Sequence, residues 1–160
     1  MGNSKPVPLS LRRKSSSRLA AVQCAYRIKV NDDVITPAEL FDDYMQQWHE
    51  DKLSPNRAIS FDAEPDKTLF MKLLAGIVEN KDHIDSIIKT SLNDKWKMER
   101  MSPLLTSILA CAIYELKYST VLNPVIIVNE YVTLTGRFFE QQEVGFVNGL
   151  LDALSKELRS

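Results

Sequence analysis

The chain is predicted to be all-α, a seven-helix bundle of two helical subdomains. Three observations lead there. Glycine is rare, at 5 of 160 residues. Apolar residues recur at helical spacing almost throughout, and no period-2 run lies between hairpin turns. Thr36-Pro37, Ser102-Pro103 and Asn123-Pro124 each set a capping side chain before a proline at the first helical position, where the missing N–H removes no hydrogen bond.

Residues 1–14, with Pro6, Pro8 and several charges, read as a flexible basic arm. A first helix is predicted from about Ser16 to Asn31, with Leu19, Val22, Ala25, Tyr26 and Ile28 on or near one face. Thr36 and Glu39 form a capping box that opens a second helix, carrying Leu40, Phe41, Tyr44, Met45 and Trp48 to about Asp51. A polar loop follows from Ser54 to Pro65. Two more helices run from about Asp66 to Asn80 and from Asp82 to Leu92, the latter with Ile84, Ile87, Ile88 and Leu92 as its inner stripe. The segment after Ser102 holds Leu104, Leu105, Ile108, Leu109, Ala112, Ile113 and Leu116, apolar on so many sides that it belongs in the middle of the bundle. A sixth helix runs from Asn123 to about Arg137. A seventh begins near Glu143 and turns Phe146, Val147, Leu150, Leu151, Leu154 and Leu158 inward. The helical domain spans 15–160, with subdomains of about 15–92 and 102–160 divided near residues 93–102.

The charge is divided unevenly. Residues 1–31 contain Lys5, Arg12, Arg13, Lys14, Arg18, Arg27 and Lys29 and no acid, although the whole chain has 20 basic and 21 acidic residues. Everything beyond them is therefore net acidic by −8. One end suits a polyanion, and the remainder suits a basic partner. Cys24 and Cys111 sit among apolar residues and read as buried free thiols of a reducing compartment. No run approaches the roughly 20 apolar residues of a bilayer span, and no apolar signal core follows the basic start. A cytoplasmic protein is expected. An Arg- and Ser-rich, acid-free start also fits an organelle transit peptide.

Catalysis has little material. His49 and His83 fall on charged helix faces, outside any H-E-x-x-H or E-x-x-H pair, and no phosphate-binding glycine loop or nucleophile elbow occurs. Neither an enzyme, a metal nor a cofactor is expected. The basic start is better material for nucleic acid. Arg12, Arg13, Lys14 and Arg18 would displace counterions from one strand, while Gln23 and Tyr26, close to the helical face of Arg18, supply an amide and a ring for bases. From spacing alone, Tyr26 reads rather as a core ring with its hydroxyl exposed.

The run Arg18-Leu19-Ala20-Ala21-Val22-Gln23-Cys24-Ala25-Tyr26 resembles the first helix of the NusB family of bacterial transcription antitermination factors. Further marks follow in order: Leu74-Ala75-Gly76-Ile77 with Asp85, Ala112-Ile113-Tyr114-Glu115-Leu116, Val128-Asn129-Glu130-Tyr131, and Gly145-Phe146-Val147-Asn148-Gly149-Leu150-Leu151-Asp152. They span residues 18–152. The resemblance implies a NusB-like fold of two helical subdomains without catalysis. It also implies binding of the boxA element of ribosomal RNA leader transcripts, with a small-subunit ribosomal protein that loads beside it onto RNA polymerase. Carried over position by position, it assigns RNA contact to Arg18, Gln23, Tyr26 and Phe146, with Arg12, Arg13 and Lys14 standing in for the family's arginine run. It makes Glu115, Asn129, Glu130 and Asn148 structural polar residues, the last three expected mainly buried and hydrogen-bonded at helix junctions. Some family members look dimeric.

The chain departs from that pattern in places. Ser15-Ser16-Ser17 separates Arg12, Arg13 and Lys14 from Arg18, Ala110 stands where the family commonly has Arg, and Glu143 precedes Phe146 where a positive residue is often found. Glu143 facing the groove would repel phosphate. Two other readings compete: the similar helical module that precedes the catalytic domain of certain ribosomal RNA cytosine methyltransferases, and a protein-binding helical scaffold with an incidental basic tail.

Overall fold

Pro8, which cannot continue a helix, instead starts one: its carbonyl accepts from the N–H groups of Leu11 and Arg12, both at 3.1 Å. That start is seen in a computed structural model, which describes residues 6–31, 35–53, 63–93 and 96–159. Among them lie seven α-helices: α1 (Leu9–Asn31), α2 (Pro37–Leu53), α3 (Lys67–Glu79), α4 (Lys81–Ser91), α5 (Pro103–Tyr118), α6 (Pro124–Gly136) and α7 (Gln141–Leu158). A 3-10 turn, Met98–Arg100, precedes α5, and the described residues contain no strand.

The expected arm is thus corrected: α1 begins at Leu9, not Ser16, so Arg12, Arg13 and Lys14 are helical. Leu, Arg and Lys favour helix, and tertiary bonds hold these turns. Arg13 donates from Nε to the Glu64 carbonyl at 3.1 Å and from Nη2 to the Pro65 carbonyl at 3.3 Å, while its own carbonyl accepts from the Asp66 N–H. The Ser17 hydroxyl donates to the Asp66 carbonyl at 2.7 Å. Most of the expected loop from Ser54 to Pro65 lies outside the described residues.

The three proline-led starts are capped by side chains. Thr36 Oγ1 accepts from the Glu39 N–H, Ser102 Oγ from that of Leu104, and Asn123 Oδ1 from that of Val125. Asp66 caps α3 in the same way through the Leu69 N–H. Arg159, beyond α7, donates to the carbonyls of Leu116, Ser119 and Leu122, satisfying the end of α5.

As its composition predicts, α5 is central. It packs against α1, α3, α4, α6 and α7, and residues from Leu105 to Leu116 are buried on nearly every side. Ser107 and Thr106 return their hydroxyls to the Pro103 carbonyl. One hydrophobic core runs through both expected subdomains, from Ala20, Phe70 and Ile88 to Tyr131 and Leu154. Gly76 of α3 lies under the Tyr114 ring, where an added Cβ would fall far inside contact distance of it. Cys24 and Cys111 are free and buried, and His49 and His83 are exposed.

Candidate nucleic-acid interface

Burial sorts the basic residues of α1. Arg18 is 3% exposed and points into the bundle. Its Nε donates to Glu115 Oε1 at 2.6 Å and its Nη2 to Glu115 Oε2 at 3.1 Å, and Glu130 approaches its Nη1 to 3.7 Å. The Tyr131 hydroxyl donates to the same Glu115 oxygen at 2.6 Å, and Ser15 Oγ lies within hydrogen-bond reach of both Glu130 oxygens. Burial opposes the Arg18 charge, but bonding to Glu115 and the nearby carboxylates hold its pKa above the ordinary value. Burial and then the Glu115 charge keep the Tyr131 phenol well above its own.

Arg18 was expected at phosphate, and this is a correction: a guanidinium enclosed by carboxylates inside the fold has no free donor face for RNA. Arg13, folded onto the Glu64 and Pro65 carbonyls, is half committed as well. Burial lowers the pKa of Lys29, which is partly enclosed.

Arg12 and Lys14 are exposed and form no ion pair among the described residues. They do not point the same way. With about 100° of turn per residue, Lys14 lies roughly 200° around the axis from Arg12, whereas Gln23, Tyr26 and Arg27 fall at about 20°, −40° and 60°. Gln23, Tyr26 and Arg27 thus share an outward patch on the C-terminal half of α1, while Arg12 stands apart at its N-terminal end, the same side being covered between them at Ser16, 8% exposed, and half-buried Leu19. Tyr26 is 39% exposed, so its ring is available and the core reading of this residue is set aside. Gln23 accepts from the Tyr44 hydroxyl at 2.8 Å, which leaves its amide NH2 as a donor. Arg27 pairs with Asp43 at 3.2 Å in an exposed and hence weak bridge. Beside this patch, α1 and α2 form a groove of about 450 Å³ whose lining includes Gln23, Arg27, Leu40, Asp43, Tyr44 and Gln47.

Phe146 is half-buried on α7, its ring stacked on Trp96 at 4.1 Å between centroids and 20° between planes. Glu143 does not stand free before it: one oxygen accepts from the Glu140 N–H at 3.1 Å, capping α7. Asn129 and Asn148, expected buried, are both exposed. The helix ends they were expected to satisfy are held by Asn123, Glu143 and Arg159, and the inner faces of α6 and α7 are taken by Ile127, Tyr131, Leu134, Val147, Leu151 and Leu154. Glu115 is buried and Glu130 half-buried, both in the Arg18 network.

Residues 15–156 match the NusB family profile. The chain belongs to the NusB family. Among its relatives, the transcription antitermination protein NusB of Caulobacter vibrioides is 31% identical over 149 residues, covering 93% of this chain and 96% of that protein. Those of Novosphingobium aromaticivorans and Sphingopyxis alaskensis are 31% and 34% identical, covering 98% and 94% of their own lengths. In fold the chain is similar to T. maritima NusB, with a TM-score of 0.71 at 22% identity over 96% of this chain and 94% of that one. It is equally similar, at TM-score 0.71 and 23% identity over 92% of this chain and 98% of that one, to a chain from the crystal structure of antitermination factors NusB and NusE in complex with dsRNA.

Neither helical spacing nor the family resemblance points to Trp96 against Phe146, to Lys97 and Arg100 near Trp96, or to Arg27 beside Gln23 and Tyr26. The signal was present in the mixed aromatic and basic run Trp96-Lys97-Met98-Glu99-Arg100, but which ring Phe146 would meet depends on tertiary packing.

Proposed function

We propose that this chain is a cytoplasmic, non-catalytic transcription antitermination factor. It binds boxA-type RNA of ribosomal RNA leader transcripts together with a small-subunit ribosomal protein, supporting processive transcription by RNA polymerase. The family match over residues 15–156 carries this reading, and Arg12 at the start of α1 with the outward patch of Gln23, Tyr26 and Arg27 supplies the chemistry. Its cations meet phosphates, the Tyr26 ring stacks on a base and the Gln23 amide reads a base edge. Phe146 takes part from α7.

Partner docking uses the opposite charge. The net −8 beyond the basic start complements a basic ribosomal protein. The NusB–NusE–RNA complex among the structural neighbours supports a three-component assembly, and the relatives, covered over 94% or more of their lengths, favour this reading over a methyltransferase module.

Titration of a short boxA oligoribonucleotide and its scrambled counterpart, with and without the ribosomal protein, tests the proposal. The expected result is weak but selective binding alone and tighter binding with the partner. Equal affinity for the scrambled strand refutes it.

A further inference from the structure

We infer that Trp96, carried on Phe146, is the ring that stacks on an RNA base at the α7 end of the interface, with Lys97 and Arg100 holding the adjoining phosphates. This deepens the RNA-binding reading and rests on it. The Phe146 ring is covered on one face by the indole at 4.1 Å, so a base reaching it from that side meets Trp96 first. Both rings are half-buried, but Trp96 borders two grooves, of about 410 and 290 Å³, whereas Phe146 lines neither. The indole is the member of the pair that meets these grooves. A half-buried ring already held parallel to a second ring is pre-ordered for stacking, so a base can continue the pile without freezing a free side chain.

The wider groove has two unlike walls. Lys97 and Arg100, both exposed and without an ion pair among the described residues, stand on the connector side. Glu140 and Glu143 stand on the α7 side, with Phe138, 41% exposed, near them. Phosphates are confined to the cationic wall. Both carboxylates serve the α7 capping box, and the lone pairs this leaves suit base amino groups and 2′-hydroxyls, which are donors. That polarity favours a single RNA strand running along the connector with its bases toward Trp96, and it disfavours DNA, which lacks the 2′-hydroxyl.

The test is titration of the full chain with a short single-stranded boxA oligoribonucleotide and with its deoxy counterpart, reading affinity by anisotropy and tryptophan emission in parallel. In the wild type, RNA should quench emission along the binding curve. Trp96→Leu should weaken RNA binding about ten- to hundredfold. Trp96→Phe, which keeps a ring, should stay within about threefold on the same stacking argument while losing the quench. Lys97→Ala with Arg100→Ala, on exposed positions that leave the core intact, should reduce the salt slope of log K by about 1.4. DNA should bind more weakly than RNA. Wild-type binding that is selective for boxA but unchanged in Trp96→Leu and in the double variant overturns this inference and leaves the functional reading standing. Absence of wild-type RNA binding overturns both.

Discussion

Arg18 of α1 donates to both oxygens of Glu115 of α5, at 2.6 and 3.1 Å, with the two side chains only 4% and 2% exposed. This pair fixes the register of the first helix against the central one. Removing one partner leaves the other charge buried alone, so Arg18→Ala should lower the unfolding free energy by about 3–5 kcal/mol. Urea denaturation at neutral pH measures it. Arg18→Met combined with Glu115→Leu and Tyr131→Phe should regain most of the loss, because both charges and the buried hydroxyl that bonds to Glu115 are then removed together. An Arg18→Ala protein as stable as wild type would remove the structural role assigned here.

Gly76 and Tyr114 make a second close meeting. A Cβ at residue 76 would fall far inside contact distance of two Tyr114 ring carbons and would lie 2.6 Å from its hydroxyl oxygen, so α3 and α5 must separate or the ring must leave. Gly76→Ala should therefore destabilise by about 1–3 kcal/mol despite its better helix propensity. Thermal unfolding of Gly76→Ala, and of the same change in a Tyr114→Ala background, should show the penalty largely vanish once the ring is gone.

The thiols give a pH signature. Burial raises the Cys24 pKa to about 12 from an ordinary 9.0 and pushes Cys111 in the same direction. Native protein near pH 8 should therefore resist thiol-reactive probes until urea opens it. In the unfolded chain these thiols ionise first, so their contribution to stability is complete below about pH 9 and declines as pH rises toward 12. Replacing Cys24 with Ala should flatten part of that decline. A wild-type stability indifferent to pH through this window would speak against the buried-thiol assignment.

Tyr26 separates stacking from charge. With its ring 39% exposed, Tyr26→Ala should reduce RNA affinity by about 1–3 kcal/mol while leaving the salt slope of binding as in wild type. A change in slope without a change in affinity at low salt would assign the residue a different role.

Local chemistry made much of the fold readable. Three capping side chains before prolines mark the starts of α2, α5 and α6, and the many-sided apolar character of α5 marks the centre. What the chain could not disclose was set by contacts between distant residues. Whether Arg12, Arg13 and Lys14 are arm or helix depends on the 63–66 segment folding against them. Arg18 reads as a surface cation until Glu115 and Glu130, far along the chain, are brought to it. The exposure of Asn129 and Asn148 follows from other residues capping the neighbouring helices. At the candidate site, helical spacing brought Gln23 and Tyr26 near one another but pointed Tyr26 to the core, and the Trp96–Phe146 stack, which joins a connector to α7, carries no periodic signal.

The salt dependence of boxA RNA affinity in α1 variants tests the central claim most directly, because Arg12 and Arg27 on one side of the helix and Lys14 on the other give different expected slopes. Arg12→Ala combined with Arg27→Ala should reduce the steepness of log K against log salt by about 0.7 × 2, or roughly 1.4. Lys14→Ala, roughly 200° around the axis from Arg12, should leave it close to wild type. A slope unchanged in the double variant, or reduced in Lys14→Ala alone, would contradict a strand held by Arg12 at one end of α1 and by the Gln23, Tyr26 and Arg27 patch at the other.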